Sequence, residues 1–217
     1  MATMNIYSVP GSPFLASVLW AMEERGAPYV VHALTPGETK QAAHLARHPF
    51  GRMPAIEHDG FTLYETQAIL RYVADAFAGP ALQPADARSR ARMNQLIGIN
   101  DWYFFPKVSA TVVFERVIKP NVLKQPADEV RVKDALPMAR TCVAEIAHLM
   151  GKQPFLAGDA LSLADLHLAP QFYYFAMTPE GSAILGEHTT LKAWLTRMTS
   201  RPSARKTMLF GIDRAAA

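Results

Sequence analysis

The sequence predicts a small α/β domain built on a mixed four-stranded sheet, followed by an all-helical domain. Three observations carry this prediction. The chain opens in the order strand, helix, strand, which demands a parallel pair with a right-handed crossover. Asp59-Gly60 joins two later short strands, and Asp-Gly accepts the positive φ of a tight antiparallel hairpin. Beyond Pro80 and Pro84 the strand signals fade and apolar residues recur at helical spacing.

Taken in order, Met4 to Val9 reads as a strand stopped by Pro10-Gly11. Ser12-Pro13 starts a helix, with Ser at the cap and Pro at the first helical position, and Gly26 ends it. Tyr29 to Leu34 reads as the second strand and Lys40 to Arg47 as a short helix. Met53-Pro54 bends the chain ahead of a strand from Ala55 to Glu57. Phe61 and Leu63 carry the returning strand, and Glu65-Thr66 opens a helix with Ile69, Leu70 and Val73 on its apolar stripe. The order is βαβαββα, expected over residues 1–80, with a linker at 81–86 and helices over 87–217. In the second half, Ala87 to Val117 reads as one long helix kinked at Pro106. Its apolar positions at ordinary helical spacing include Trp102 and Phe105. Ala127 to Met150, Leu166 to Phe175 and Leu191 to Ser200 are further helices. Ser162 and Asp165, three apart, form the start signal of the Leu166 helix, a folding cap rather than a reactive pair.

Half of the 217 residues are hydrophobic, which supports a real core. The formal charge is +3, with five basic and seven acidic residues up to Pro80, and 17 basic and 12 acidic after it. That mild excess is spread over several helices and predicts no nucleic-acid partner. Cys142 is the single cysteine, so a disulfide within the chain, a CxxC motif and a cysteine zinc site are all excluded. No apolar stretch approaches the roughly 18 residues of a membrane span, and no export signal is legible. A reducing cytoplasm is therefore expected, with no membrane partner. The most informative local feature is Glu65-Thr66, a polar pair at a helix start, where outward N–H groups suit a carboxylate or phosphate.

Four stretches together resemble the glutathione S-transferase family over nearly the whole chain. They are Ser12-Pro13-Phe14 leading to Met22-Glu23-Glu24-Arg25-Gly26; His48-Pro49-Phe50-Gly51-Arg52-Met53-Pro54; Leu63-Tyr64-Glu65-Thr66-Gln67-Ala68-Ile69; and Phe155-Leu156-Ala157-Gly158-Asp159 with Ser162-Leu163-Ala164-Asp165. Phe114-Glu115 with Lys119-Pro120 further resembles the serine-type phi class, in a bacterial-type member. The resemblance implies a thioredoxin-like first domain that binds glutathione, and the family's helical domain after it. It implies transfer of the glutathione thiol to hydrophobic electrophiles, with organic hydroperoxide reduction as an added activity. Glutathione is then a co-substrate, with no cofactor or metal.

The resemblance also implies roles. Pro54 is expected cis, with the Met53 backbone pairing with the cysteinyl part of glutathione. Glu65 and Thr66 would hold the γ-glutamyl end; Thr66 replaces the usual Ser and keeps its hydroxyl. Lys40 would meet the glycyl carboxylate, beside a Thr39 that replaces a common His. Arg52, in place of Gln, would donate to the peptide or a carboxylate. Ser12 would activate the thiol, whose free pKa is about 8.5. Tyr7 and Ser8 are the alternative hydroxyls. Position 17, where Arg is common, holds Ser. Phe14, Tyr103, Phe104, Val108 and Thr111, with Trp102, Phe105 and Phe210, are candidates to wall an electrophile cleft between the domains. Phe50 resembles an aromatic key inserted into a partner subunit, which implies a homodimer. Two alternatives stay open: a non-catalytic binding or stress module on this fold, and a glutathione-dependent isomerase or dehalogenase.

Overall fold

The computed structural model describes residues 2–35 and 37–208. Phe210 therefore lies outside the described residues. The chain divides into two compact units. Unit 1 holds 1–82 together with the segment from Arg201 onward, and unit 2 holds Gln83–Ser200.

Unit 1 contains β1 (Met4–Ser8), α1 (Pro13–Arg25), β2 (Tyr29–Ala33), one 3-10 turn (Glu38–Lys40), α2 (Ala42–Leu45), β3 (Ala55–His58), β4 (Phe61–Tyr64) and α3 (Thr66–Ala76). The sheet order is β2-β1-β3-β4. β1 and β2 run parallel in the register Tyr7↔His32, while β3 runs antiparallel to both neighbours, with Tyr7↔Ala55 and Ala55↔Tyr64. Alternation on β1 sends Met4, Ile6 and Ser8 inward and leaves Asn5 and Tyr7 on the other face. The hairpin turns on Asp59 and Gly60, both at positive φ (50° and 76°), as a two-residue connection requires. α1 packs on α3, burying Val18, Leu19 and Met22 with Ile69, Leu70 and Val73.

The last described helix departs from the sequence reading. Arg201-Pro202 ends one helix as expected, but Pro202 also sits at the start of another, Pro202–Met208. This segment packs on α1 of unit 1 instead of joining the helical unit. Arg201 grips the Glu24 carboxylate through Nε (2.8 Å) and Nη2 (2.7 Å), and Lys206 donates to Glu23 at 2.9 Å.

Unit 2 contains α4 (Ala87–Ile99), a π-helical run (Asn100–Ile118), α5 (Lys119–Asn121), α6 (Glu129–Met150), α7 (Leu163–Ala176), α8 (Pro179–Gly186) and α9 (Thr189–Thr199); the C-terminal Pro202–Met208 is α10. The sequence reading contained no α8. Pro106 lies inside a helix with wider winding, and the Lys119 N–H bonds back to the Phe114 carbonyl five residues earlier. The buried positions are Asn100, Phe104, Val108, Ser109, Val112, Val113, Glu115 and Val117. A reading at 3.6 residues per turn misplaces this face, and Trp102 stands 75% exposed.

α7 is the core of unit 2, and its Leu163–Phe172 stretch is buried throughout. Asp165 reciprocally caps it with Ser162. The carboxylate accepts from the Leu156 N–H (2.8 Å), the Ser162 N–H (2.9 Å), the Ser162 hydroxyl (2.7 Å) and the Trp194 indole (2.8 Å). Burial pushes this carboxyl above its ordinary range, and the four donors pull against that shift.

Candidate active site

Strand directions bring four loops to one end of the sheet in unit 1. The parallel β1 and β2 both finish there, β3 begins there and β4 finishes there. The segments that follow or precede those ends hold Ser12, Lys40, Met53-Pro54 and Glu65-Thr66. The described structure thus gathers every residue the sequence nominated for glutathione into one unit.

Ser12 caps α1 in extended geometry (φ −67°, ψ 127°), and its Oγ accepts from the Leu15 N–H at 3.4 Å. A cap uses an oxygen lone pair, so the hydroxyl proton stays available to donate. The α1 N-terminus adds positive potential at the same point. The Ser12 N–H bonds to the Val9 carbonyl (3.2 Å), and the Val9 N–H points at Met53 Sδ (3.2 Å). The loop carrying Ser12 is thereby stapled to the Met53-Pro54 bend, whose peptide bond is cis.

The alternative hydroxyls are engaged or hidden. Tyr7 donates to Glu57 at 2.8 Å, and burial together with that carboxylate raises its pKa above the ordinary value. A phenol pushed upward is a poorer thiolate partner. Ser8 is fully buried. Ser17, at the position where Arg is common, is also buried, and its hydroxyl donates to the Pro13 carbonyl at 3.1 Å.

The cationic side of the loop cluster rests on a glycine. Gly51 has φ +59°, and a Cβ there would lie 2.8 Å from Lys40 Nζ and 2.9 Å from the Thr39 carbonyl. The absent side chain is what lets the Lys40 ammonium lie against this backbone. Gly51→Ala therefore meets both a backbone clash and an unfavourable φ. We expect it to lower stability by about 1–3 kcal/mol, read as a shift in the urea midpoint. His44 is buried beneath, and its Nε2 donates to the Arg52 carbonyl at 2.7 Å. His48 is held below its ordinary pKa by burial, then by His44 and Arg52.

Glu65 precedes α3 at φ 70° and ψ 112°, unusual for a residue with a side chain. Such a backbone costs on the order of 1–3 kcal/mol and marks a constrained turn. It leaves the Glu65 side chain exposed and sets Thr66, 8% exposed, at the helix start.

The apolar candidates divide. Phe104 is fully buried, stacked on Phe172 at 4.5 Å and edge-on to Phe175, so it is a core residue of unit 2 and not a wall. Val108 is equally buried and offers no surface. Tyr103 is 49% exposed, with Lys107 Nζ 5.7 Å from its ring centre. Thr111 and Phe14 are partly exposed. Cys142 is buried, and its thiol is pushed up to about 11 by burial, as befits an inert packing residue.

The family model of the glutathione S-transferase N-terminal domain matches residues 6–81, and that of the C-terminal domain matches residues 101–202. Glutathione S-transferase F7 of Arabidopsis thaliana is 30% identical over 211 residues, spanning 96% of this chain and 100% of its own. The chain belongs to the glutathione S-transferase family. Among solved structures of the family, glutathione transferase F7 from Populus trichocarpa superposes with TM-score 0.85 at 28% identity, over 94% of this chain and 97% of that one. Glutathione S-transferase I from maize, in complex with an atrazine glutathione conjugate, gives TM-score 0.83 at 26% identity, over 95% and 97%. These glutathione S-transferases come from plants, so the bacterial affiliation expected from the sequence draws no support from them. The thioredoxin-like first domain and helical second domain are those of the family.

Proposed function

We propose that this glutathione S-transferase is serine-type, with Ser12 activating the thiol of glutathione bound along the loop end of the sheet. Conjugation of glutathione to electrophiles is the activity of the family. The observation that carries the reading is the coupling of Ser12 to the Met53-Pro54 bend through Val9. In this arrangement the cysteinyl backbone of glutathione pairs with Met53, next to the cis Pro54, and its sulfur comes under the α1 N-terminus. Glu65 takes the ligand ammonium, while the Thr66 hydroxyl and N–H donate to its α-carboxylate. Lys40 and Arg52 take the glycyl end.

The chemistry then needs little else. The Ser12 hydroxyl donates to the sulfur and favours thiolate over thiol, the thiol proton passing to solvent. The thiolate electron pair forms the new C–S bond. A leaving group departs with its bonding pair, or, in an addition, the carbon that gains the electrons is protonated. In the first unit, Phe14 is the side chain we assign to the apolar electrophile. Glutathione with a chlorinated nitroarene, assayed on wild type and Ser12→Ala, tests the assignment; full activity in the variant removes Ser12 from the mechanism.

Thr66→Val keeps the shape and deletes the hydroxyl. A hydrogen bond to a charged group contributes about 1.5–3 kcal/mol, so glutathione Kd should rise at least about tenfold with kcat nearly unchanged. Titration calorimetry reads the first and saturating kinetics the second. We also propose a homodimer keyed by Phe50, which is 66% exposed and touches His48 and Tyr64 only edge-on. Sedimentation should show a dimer that Phe50→Ala shifts toward monomer. Among the described residues no helix is long and apolar enough to cross a membrane. We assign the chain to the cytoplasm, where glutathione is kept as the free thiol.

A further inference from the structure

We propose that Arg47 is a positioning residue that sets glutathione affinity, by locking α2 to the sheet and so holding Lys40 and Arg52 in place. The inference rests on reading Lys40 and Arg52 as glutathione ligands.

Arg47 follows α2 and uses its guanidinium in three directions. Nε donates to Glu57 Oε1 on β3 at 2.7 Å. Nη1 donates back to the Ala43 carbonyl of α2 at 2.9 Å. The guanidinium carbon lies 4.0 Å from the centre of the Tyr7 ring on β1. His32 of β2 stacks on that same ring at 4.6 Å and 14°. The guanidinium and the His32 ring thus both pack on the Tyr7 ring. The Tyr7 hydroxyl then donates to Glu57, closing the cluster. One side chain thus joins its own helix to residues on two strands.

An isolated ion pair at this exposure contributes little. Here, however, the planar fork satisfies a carboxylate, a helix carbonyl and an aromatic face together, which a lysine cannot reproduce. The ring of His48 against Tyr64 adds an apolar contact to β4. The α2 segment touches the ligand groups on both sides. Lys40 ends the 3-10 turn just before it, and the Arg52 carbonyl accepts from His44 within it. A shift of α2 therefore acts first on both cations, whereas Ser12 is held separately as the cap of α1, its Oγ accepting from the Leu15 N–H.

The expected signature is a split between KM and kcat. With the chlorinated nitroarene fixed, Arg47→Ala should raise KM for glutathione about five- to tenfold, the size expected from losing a cation–π contact and a partly exposed ion pair. The kcat at saturation and its pH profile should stay as in wild type, because the thiol-activating group is not moved. Arg47→Lys should recover less than half of the loss. Hydrogen exchange across residues 38–52 should quicken in Arg47→Ala and not in Lys40→Ala, although both raise KM. Should Arg47→Ala fail to fold, Glu57→Gln removes the carboxylate that Arg47 grips and must show the same split. An unchanged KM in Arg47→Ala beside a raised KM in Lys40→Ala overturns the positioning role alone. A kcat falling in step with the affinity overturns it too. An unchanged KM in both Lys40→Ala and Arg52→Ala overturns the ligand assignment, and the proposal with it.

Discussion

Ser12→Ala should move the pH dependence of kcat upward by about two units, toward the pKa of about 8.5 of an unassisted thiol. The arithmetic fixes what a single-pH assay can show. At pH 7 a thiol of pKa about 6.5 is roughly three-quarters thiolate, and one of about 8.5 is roughly 3% thiolate. Thiolate occupancy thus falls roughly 25-fold. The more basic thiolate is also the better nucleophile, and with a Brønsted coefficient of about 0.4–0.5 this returns roughly eightfold. The rate at pH 7 should therefore fall between about threefold and 25-fold, and the profile is the sharper readout. Ser12 also caps α1. Alanine loses about 1 kcal/mol of helix stability there, whereas glycine loses only a few tenths relative to serine. Ser12→Gly should show the same pH shift in a more stable protein. A wild-type profile in both variants would exclude the hydroxyl from thiol activation.

The largest effect on stability should come from Asp165→Ala. Its carboxylate satisfies four donors inside unit 2, from Leu156, Ser162 and Trp194, and no water-exposed route replaces it. Unsatisfied buried donors cost about 1–3 kcal/mol each, without full additivity, so about 4 kcal/mol is expected. That is a large share of the roughly 5–15 kcal/mol that holds a typical domain together. Asp165→Asn keeps one acceptor oxygen and should lose less. Urea unfolding followed by tryptophan fluorescence is suitable because Trp194 is itself one of the donors. A midpoint within about 1 kcal/mol of wild type would refute the capping role.

Much of unit 1 was legible because its signals are local. Ser12-Pro13 and Asp59-Gly60 each declare a backbone conformation within two residues, and the structure places both as read; Glu65-Thr66 starts its helix as read, but nothing local declares the positive φ of Glu65. Features that depend on distant partners were not legible. Arg47, Glu57 and Tyr7 sit ten and fifty residues apart along the chain, and nothing in their spacing links them. The part Gly51 plays was hidden because its neighbour Lys40 is close in space but not in sequence. Phe104 and Trp102, both read as candidate walls, part company for another reason. A helix wound with five-residue bonds turns its inward face at a pace that the usual 3.6-residue template does not follow.

The packing of α10 on α1 bears on the order in which the protein is completed. The ion pair between Glu24 and Arg201 joins residues 177 apart, so the unit that is synthesised first is finished last. A ribosome releases the strands and α1 early, yet the helix that covers Glu23 and Glu24 emerges only after all of unit 2. Until then α1 carries an uncovered flank, and loop closure across the intervening chain must precede that contact. Removing the chain from Arg201 onward would therefore weaken the first unit while sparing the helical unit that lies next to the cut in sequence.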